Sequence, residues 1–333
     1  MITPQLAMTI LGADLAVPLV DETFQHLGEI VELRRALSAR RVVVTGGAGS
    51  IGGALAVELI SDPERTAPVV VIDTNERSVA SLINWVNALG LRDNLVTVVA
   101  DVSDPVQMAE VFDEVRGEVV VHAAAVKHVG TCEANPRLAE RVNVDATRIL
   151  LAESEKRGVE RFLLVSTDKA TSRMNVLGQS KYRAELEVAA AATRGLGAAS
   201  VRLPNVWGSS GSVVELWRQS IALGLPVTLF GPETTRYYQS VYDTVRILLT
   251  LVTSPVSTGG STFVVSDAVR IPLGEVLQRV TDAAGDAGEL EHRIEAPRPG
   301  EIAHEQLTSP EESYRETGWA GILELVHDAH DAQ

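Results

Sequence analysis

The sequence predicts an α/β protein built on a doubly wound parallel sheet, and three observations predict it. Valine-rich runs recur between residue 41 and about 203, helical stretches separate them, and the first run passes directly into a glycine-spaced turn. The runs are Val42-Val43-Val44, Val69-Val70-Val71-Ile72, Val96-Thr97-Val98-Val99, Val119-Val120-Val121, Phe162-Leu163-Leu164-Val165 and Ala199-Ser200-Val201. Unbroken apolar runs are what strands covered on both faces require; a half-exposed strand needs only alternate positions. Segments 50–61, 75–89, 104–115, 136–157 and 175–194 have helical character and fall between the runs. Strand and helix in alternation pack as a parallel sheet with helices on both faces.

Residues 1–39 form a leading extension, helical by the spacing of Val31-Glu32-Leu33-Arg34-Arg35-Ala36-Leu37. Residues 40–203 carry the sheet and are expected to hold a dinucleotide. Beyond 203 the rhythm loosens, with Gly and Pro clusters at 208–211, 225–232, 254–260 and 297–300. Residues 204–333 are therefore expected to form a smaller α+β, mainly substrate-binding region interleaved with the first.

A chain of 333 residues with 45% hydrophobic content can fill a sizeable core. Its 29 basic and 44 acidic residues give a formal net charge of −15, which repels polyphosphate and anionic lipid. Nucleic acid and membrane are therefore not expected partners. A small phosphorylated ligand is compatible with that charge, because backbone amides can bind it locally. The single cysteine, Cys132, excludes an internal disulfide framework and a thiolate-rich metal site, and suits a reducing cytoplasm. No run reaches the 18 or so apolar residues of a membrane span, and the N-terminus lacks the order of a signal peptide. A cytoplasmic protein is expected. His327 and His330 have helical spacing but no adjoining ligand cluster, so no metal is predicted.

The first strand leads into Thr45-Gly46-Gly47-Ala48-Gly49-Ser50-Ile51-Gly52. Glycines 46, 49 and 52 let the chain turn tightly and let the backbone approach a pyrophosphate at the start of a helix, where free N–H groups meet an anion. Asp73 ends the second strand, where an acid accepts hydrogen bonds from an adenosine ribose and repels a 2′-phosphate, favouring NAD. The same residue could instead cap the helix starting near Asn75. Asp101-Val102 and Ala123-Ala124-Ala125 close the third and fourth strands, at the edge where ligands of open α/β sheets bind. The alanines leave room for adenine and ribose, or simply pack tightly. The fifth strand delivers Ser166-Thr167-Asp168-Lys169, and Lys181 follows on a helix.

With these elements in this order, the chain resembles the extended short-chain dehydrogenases with a Rossmann-type sheet. Within them it is similar to the polysaccharide-biosynthesis branch of UDP-N-acetylglucosamine 4,6-dehydratases. The resemblance spans roughly residues 39 to 315. It is carried by the glycine motif, Ala123-Ala124-Ala125-Val126-Lys127-His128-Val129 with Glu133, Val142-Asn143-Val144 and Ser166-Thr167-Asp168-Lys169. Also matching are Asn175 to Lys181, Arg202 to Ser212, Thr235-Arg236-Tyr237 and Arg298-Pro299-Gly300-Glu301.

The resemblance implies NAD as cofactor, a UDP-sugar substrate and a homo-oligomer. It also implies a reaction in which hydride leaves sugar C4, water is eliminated across C5 and C6, and hydride returns to C6. By position, Thr167 would bond the 4-hydroxyl, Asp168 would protonate the departing C6 oxygen and Lys169 would take the C5 proton. Burial and the second cation, Lys181, are expected to lower Lys169 toward a usable base, and Asp168 should shift upward. Lys181 would bind the nicotinamide ribose. Substrate contacts are implied for Lys127, His128, Asn143, Asn205, Ser212, Val213 and Glu301, and Asn143 should also help order the site. Arg202, Arg236 and Arg298 are diphosphate candidates, because a guanidinium fork matches phosphate oxygens; Arg202 could instead brace the loop after its strand.

Two departures stand out. The superfamily's Tyr, four residues before its Lys, is Leu177, which carries no proton; Thr167 or water would then serve the 4-hydroxyl. His128-Val129-Gly130 replaces His-Val-Pro. Tyr237 and Tyr238 could stack on a base or sugar, or sit in the core. Two other readings compete: a nucleotide-sugar epimerase or dehydrogenase on the same frame, and an inactive NAD-binding regulatory subunit.

Overall fold

The computed structural model describes residues 27–254, 259–284, 292–296 and 300–326. Six strands, β1 (Val42–Thr45), β2 (Val69–Asp73), β3 (Leu95–Val99), β4 (Val119–His122), β5 (Arg161–Thr167) and β6 (Ala198–Leu203), lie parallel in the order 3-2-1-4-5-6. Their valines divide by parity. Val42, Val44, Val69, Val71, Val119 and Val121 enter one core, and Val43, Val70, Ile72 and Val120 enter another across the sheet. That division is the two-residue strand repeat with both faces covered.

Helices α1 (Leu27–Arg35), α2 (Ser50–Ile60) and α3 (Glu76–Ala88) contribute to the first core through Ile30, Leu55, Leu59 and Leu82. Helices α4 (Pro105–Val115), α5 (Ala146–Arg157) and α6 (Val176–Thr193) line the second through Phe112, Leu150, Leu151, Ala184 and Val188. The helix starts follow from their caps. Asn75 accepts from the Ser78 amide, and Asp104 accepts from Val106 and Gln107 ahead of Pro105. β3 departs from the expectation of two-sided burial. It lies at the sheet edge, and Val96 and Val99 are exposed.

The chain then leaves the sheet through β7 (Asn205–Val206), α7 (Val213–Ala222), β8 (Val227–Phe230) and β9 (Thr235–Gln239). Helix α8 (Val241–Thr253) returns to pack with α1 and α2, and β10 (Gly259–Val265) pairs parallel with β6. β11 (Val269–Pro272) pairs with β9, α9 (Leu273–Ala284) follows, and β12 (His292–Glu295) pairs with β8. Finally β13 (Ser313–Glu316) and β14 (Ile322–Val326) extend the sheet antiparallel beyond β10, making nine strands. The region after residue 203 thus interleaves with the first. Trp207, Val214, Trp217, Leu229, Ile271 and Val276 form the core of its smaller layer. Among the described residues no helix is long and apolar enough to cross a membrane.

Candidate active site

The strand order reverses between β1 and β4, and the crevice beyond their carboxyl ends is where open α/β sheets take ligands. The glycine turn lies there. Gly46 has φ +63, and a Cβ on it would lie 2.7 Å from the Ala124 nitrogen, so the turn and the end of β4 touch backbone to backbone. Gly49 is exposed and opens α2 without a side-chain cap, which leaves the first helical amides free to meet an anion. Asp73 accepts from the Ala48 and Asn75 amides, while Asn75 itself caps α3. The capping alternative for Asp73 therefore gives way to a carboxylate at the rim of the turn. These features fit a dinucleotide, pyrophosphate on the helix start and ribose near Asp73.

The remaining cofactor candidates are placed unequally. Ile51 packs against the first core, and Val102 is buried in the second, across the sheet. Asp101 accepts from the Ser103 amide and hydroxyl. Ala123 and Ala124 are half-buried and Ala125 is exposed. Ser50 reaches across to the 208–211 loop, where its hydroxyl donates to Ser210 Oγ at 3.2 Å and accepts from the Ser210 amide at 2.8 Å. Lys127 donates to the Ser210 carbonyl, and Gly211 lies against the His128 ring. Turn, β4 end and the 208–211 loop are thereby stitched together.

At the end of β5 the three expected residues converge. Thr167 Oγ1 donates to Asp168 Oδ1 at 2.9 Å, and Lys169 Nζ lies 3.2 Å from the same oxygen. Lys169 also contacts Asn205 Oδ1 at 3.3 Å and, at 2.8 Å, Glu305. Asp168 Oδ2 is buried with no partner among the described residues. Burial, then the Glu305 charge, push Asp168 up to about 6 against the pull of Lys169. That is the upward shift expected of an acid. Lys169 moves opposite to expectation. Burial works to lower it, but Asp168 and Glu305 outweigh burial and hold it above the usual lysine range. Burial does bring Lys181 down, to about 8, opposed by Glu185, and it lowers Lys127 as well.

Several substrate assignments change. Arg202 is fully enclosed: Nη2 meets Glu185 at 2.9 Å and Nη1 meets Glu312 at 2.8 Å, so it braces the fold and offers nothing to a diphosphate. Arg236 donates to the Ile302 carbonyl and lies 3.3 Å from Glu305, which draws it toward Lys169. Asn143 is wholly buried in a π-helical turn, Glu140–Asp145; it clamps the Val126 backbone from both sides and donates to Ser180. It orders the loop, with both amide atoms engaged by the chain itself. Ser212 spends its hydroxyl capping α7, and half-buried Val213 packs on the smaller core. Asn205 donates to Glu305 at 2.8 Å and joins the site. Glu301 is half-buried and is not the acid that meets Lys169. Arg298, His327 and His330 lie outside the described residues. Leu177 fills an apolar pocket with Cys132 and Ala139, and Tyr238 packs edge-on against Trp207.

Sequence reasoning missed Glu305, which lies just past the last matched motif. One compositional signal pointed toward the site. The chain has 25 arginines but four lysines, Lys127, Lys156, Lys169 and Lys181, and all except the exposed Lys156 lie at this crevice. Arginine stays charged in proteins whereas lysine titrates.

Residues 42–326 match the family model described as polysaccharide biosynthesis protein. The chain belongs to this family. It is 34% identical over 283 residues to an uncharacterized membrane protein of Methanocaldococcus jannaschii, covering 83% of this chain and 82% of that one. It is 32% identical to the capsular polysaccharide biosynthesis protein CapD of Staphylococcus aureus, over 84% of this chain but 47% of CapD, about half its length. A UDP-N-acetylglucosamine 4,6-dehydratase (inverting) of Campylobacter jejuni is 29% identical over 83% of this chain and 79% of its own. Among solved structures, the dTDP-glucose 4,6-dehydratase DesIV of Streptomyces venezuelae superposes with TM-score 0.72 at 24% identity, over 81% and 89% of the two chains. The UDP-glucose 4-epimerase of Thermus thermophilus, complexed with NAD, superposes with TM-score 0.68 at 26% identity, over 81% and 90%. The chain is thus related to nucleotide-sugar dehydratases and epimerases on a Rossmann-type sheet.

Proposed function

We propose that the chain is a nucleotide-sugar 4,6-dehydratase using NAD and acting on a UDP-hexose, with UDP-N-acetylglucosamine the first candidate. The observation that carries this reading is an acid and an amine on adjacent residues at the strand end facing the dinucleotide crevice. Asp168, raised to about 6 with one oxygen unpartnered among the described residues, can hold the proton that a departing C6 hydroxyl needs. Lys169 is the group for the C5 proton, which a ketone at C4 acidifies. In the substrate-free chain that amine is protonated, so C5 deprotonation requires the sugar to part it from a carboxylate. Thr167 presents a hydroxyl at the same strand end for the 4-hydroxyl. Leu177 cannot serve there, being an apolar residue 3% exposed. Bound NAD would supply reversible hydride exchange. Asp73 at the rim of the glycine turn favours NAD over its 2′-phosphate relative. The reading includes a homo-oligomer in the cytoplasm, where buried Cys132 stays reduced.

The test is incubation of the purified protein with UDP-N-acetylglucosamine in deuterated water, followed by NMR and mass spectrometry. A 4-keto-6-deoxy product with deuterium at C5 is expected. A changed sugar without loss of water would assign epimerase or dehydrogenase chemistry instead. Retained NAD with no turnover would make the chain a binding subunit.

A further inference from the structure

We infer that Glu305 is the positioning residue of this site: through its ion pair it holds Lys169 Nζ between two carboxylates and decides when that lysine can accept a proton. Its chemical meaning rests on the dehydratase reading; its geometry does not. Among the described residues, three charged groups act on Nζ. Asp168 lies on its own turn at 3.2 Å, Glu305 arrives from the C-terminal segment at 2.8 Å, and Arg236 of β9 backs Glu305 at 3.3 Å. Asn205 completes the cage, accepting from Lys169 and donating to Glu305 Oε2 at 2.8 Å.

The segment that carries Glu305 is tied to β9. Its amide reaches the Thr235 carbonyl, the Thr235 amide donates to the Ala303 carbonyl, and Thr235 Oγ1 bonds His304 at 3.0 Å. Farther along, Glu312 fastens the same segment to Arg202 at 2.8 Å. The carboxylate is 6% exposed by residue. Burial would raise it, but Lys169 and Arg236 keep it ionised, below the usual carboxylate range. A buried carboxylate with no role toward Lys169 would leave an ion cage here with nothing to control. The cage instead explains why Lys169, expected to be a ready base, stands protonated at rest. It also identifies the contact that an entering sugar must loosen.

The chain's four lysines make the test direct. NAD-loaded wild type, Glu305→Gln and Glu305→Asp are trace-labelled with acetic anhydride at one pH, and each lysine's rate is read by mass spectrometry against exposed Lys156. Only the neutral amine reacts, so the rate ratio reports proton affinity even when the midpoint lies beyond reach. Glutamine keeps an oxygen for Asn205 and removes the charge, so Lys169 should label at least about tenfold faster, one pKa unit, with Lys127 and Lys181 unchanged. Aspartate keeps the charge farther away and should give an intermediate rate. Should glutamine impair folding, aspartate alone decides, since a merely structural Glu305 leaves the Lys169 rate at the wild-type value. Equal Lys169 rates in wild type and folded variants overturn the inference. With substrate, the alkaline-rising limb of kcat should move at least one unit lower in Glu305→Gln. Absence of turnover in wild type would sink the dehydratase reading while the labelling result still decides Glu305.

Discussion

Two cations one strand apart meet nearly the same surroundings and come to opposite uses. Arg202 on β6 is clasped by Glu185 of α6 and Glu312 of the C-terminal segment; Lys169 after β5 is clasped by Asp168 and Glu305 of that segment. The arginine side chain is 0% exposed and the lysine side chain 14%. One cage is closed around a cation that never loses its proton, so it can only brace. The other is open at the crevice and holds a cation that can. Two carboxylates around a buried cation therefore do not by themselves mark an active site; a titratable cation and an open side do.

The largest effect should come from moving arginine into the open cage. Lys169→Arg keeps the charge and removes the base, so kcat with UDP-N-acetylglucosamine should fall about 10²–10⁴-fold while urea stability changes by less than about 1 kcal/mol. Breaking the closed cage should reverse the pattern. Arg202→Met leaves Glu185 and Glu312 buried without their cation and should cost about 3–5 kcal/mol in urea unfolding, with kcat of the folded enzyme within about threefold. A comparable loss of kcat in a fully folded Arg202→Met would mean that both cages serve chemistry. Arg202→Lys keeps the charge but loses the two-pronged contact with Glu185, a milder loss of about 1–3 kcal/mol.

His122 is a third case, a buried titratable group with hydroxyls and no carboxylate beside it. It bonds Thr45 at 2.7 Å and Thr147 at 3.1 Å, and burial with the Lys181 charge pushes it down to about 3. The unfolded chain then binds the proton more readily. Stability from the neutral ring is whole above about 6.5 and is lost as pH falls toward 3, with a slope of at most about 1.4 kcal/mol per pH unit. His122→Gln should flatten that stretch of the stability–pH curve. An unchanged slope would mean that the ring is not held neutral.

The glycine turn was legible because its cause is local: Gly46 must adopt φ +63 within van der Waals reach of β4, and only glycine does both cheaply. Thr167, Asp168 and Lys169 were legible as neighbours because chain connectivity alone places them at one strand end. Asn143 was legible as a residue that orders the site, but not the means, since its buried clamp on Val126 depends on a π-turn that no spacing announces. Arg202 was expected at a diphosphate because its residue type suits one; its partners, on α6 and in the C-terminal segment, cannot be read from its strand. Glu305 lay beyond the matched motif, and its meaning depends on a lysine far upstream.

By itself, the sequence determined the sheet, the faces of its strands and the turn that receives a dinucleotide. All three depend on side-chain periodicity and backbone freedom, properties of consecutive residues. Tertiary structure alone decided which buried cation braces and which can exchange a proton. Charge state depends on through-space distance to carboxylates and on the water excluded around them, and both arise only when the C-terminal segment folds back over the strand ends.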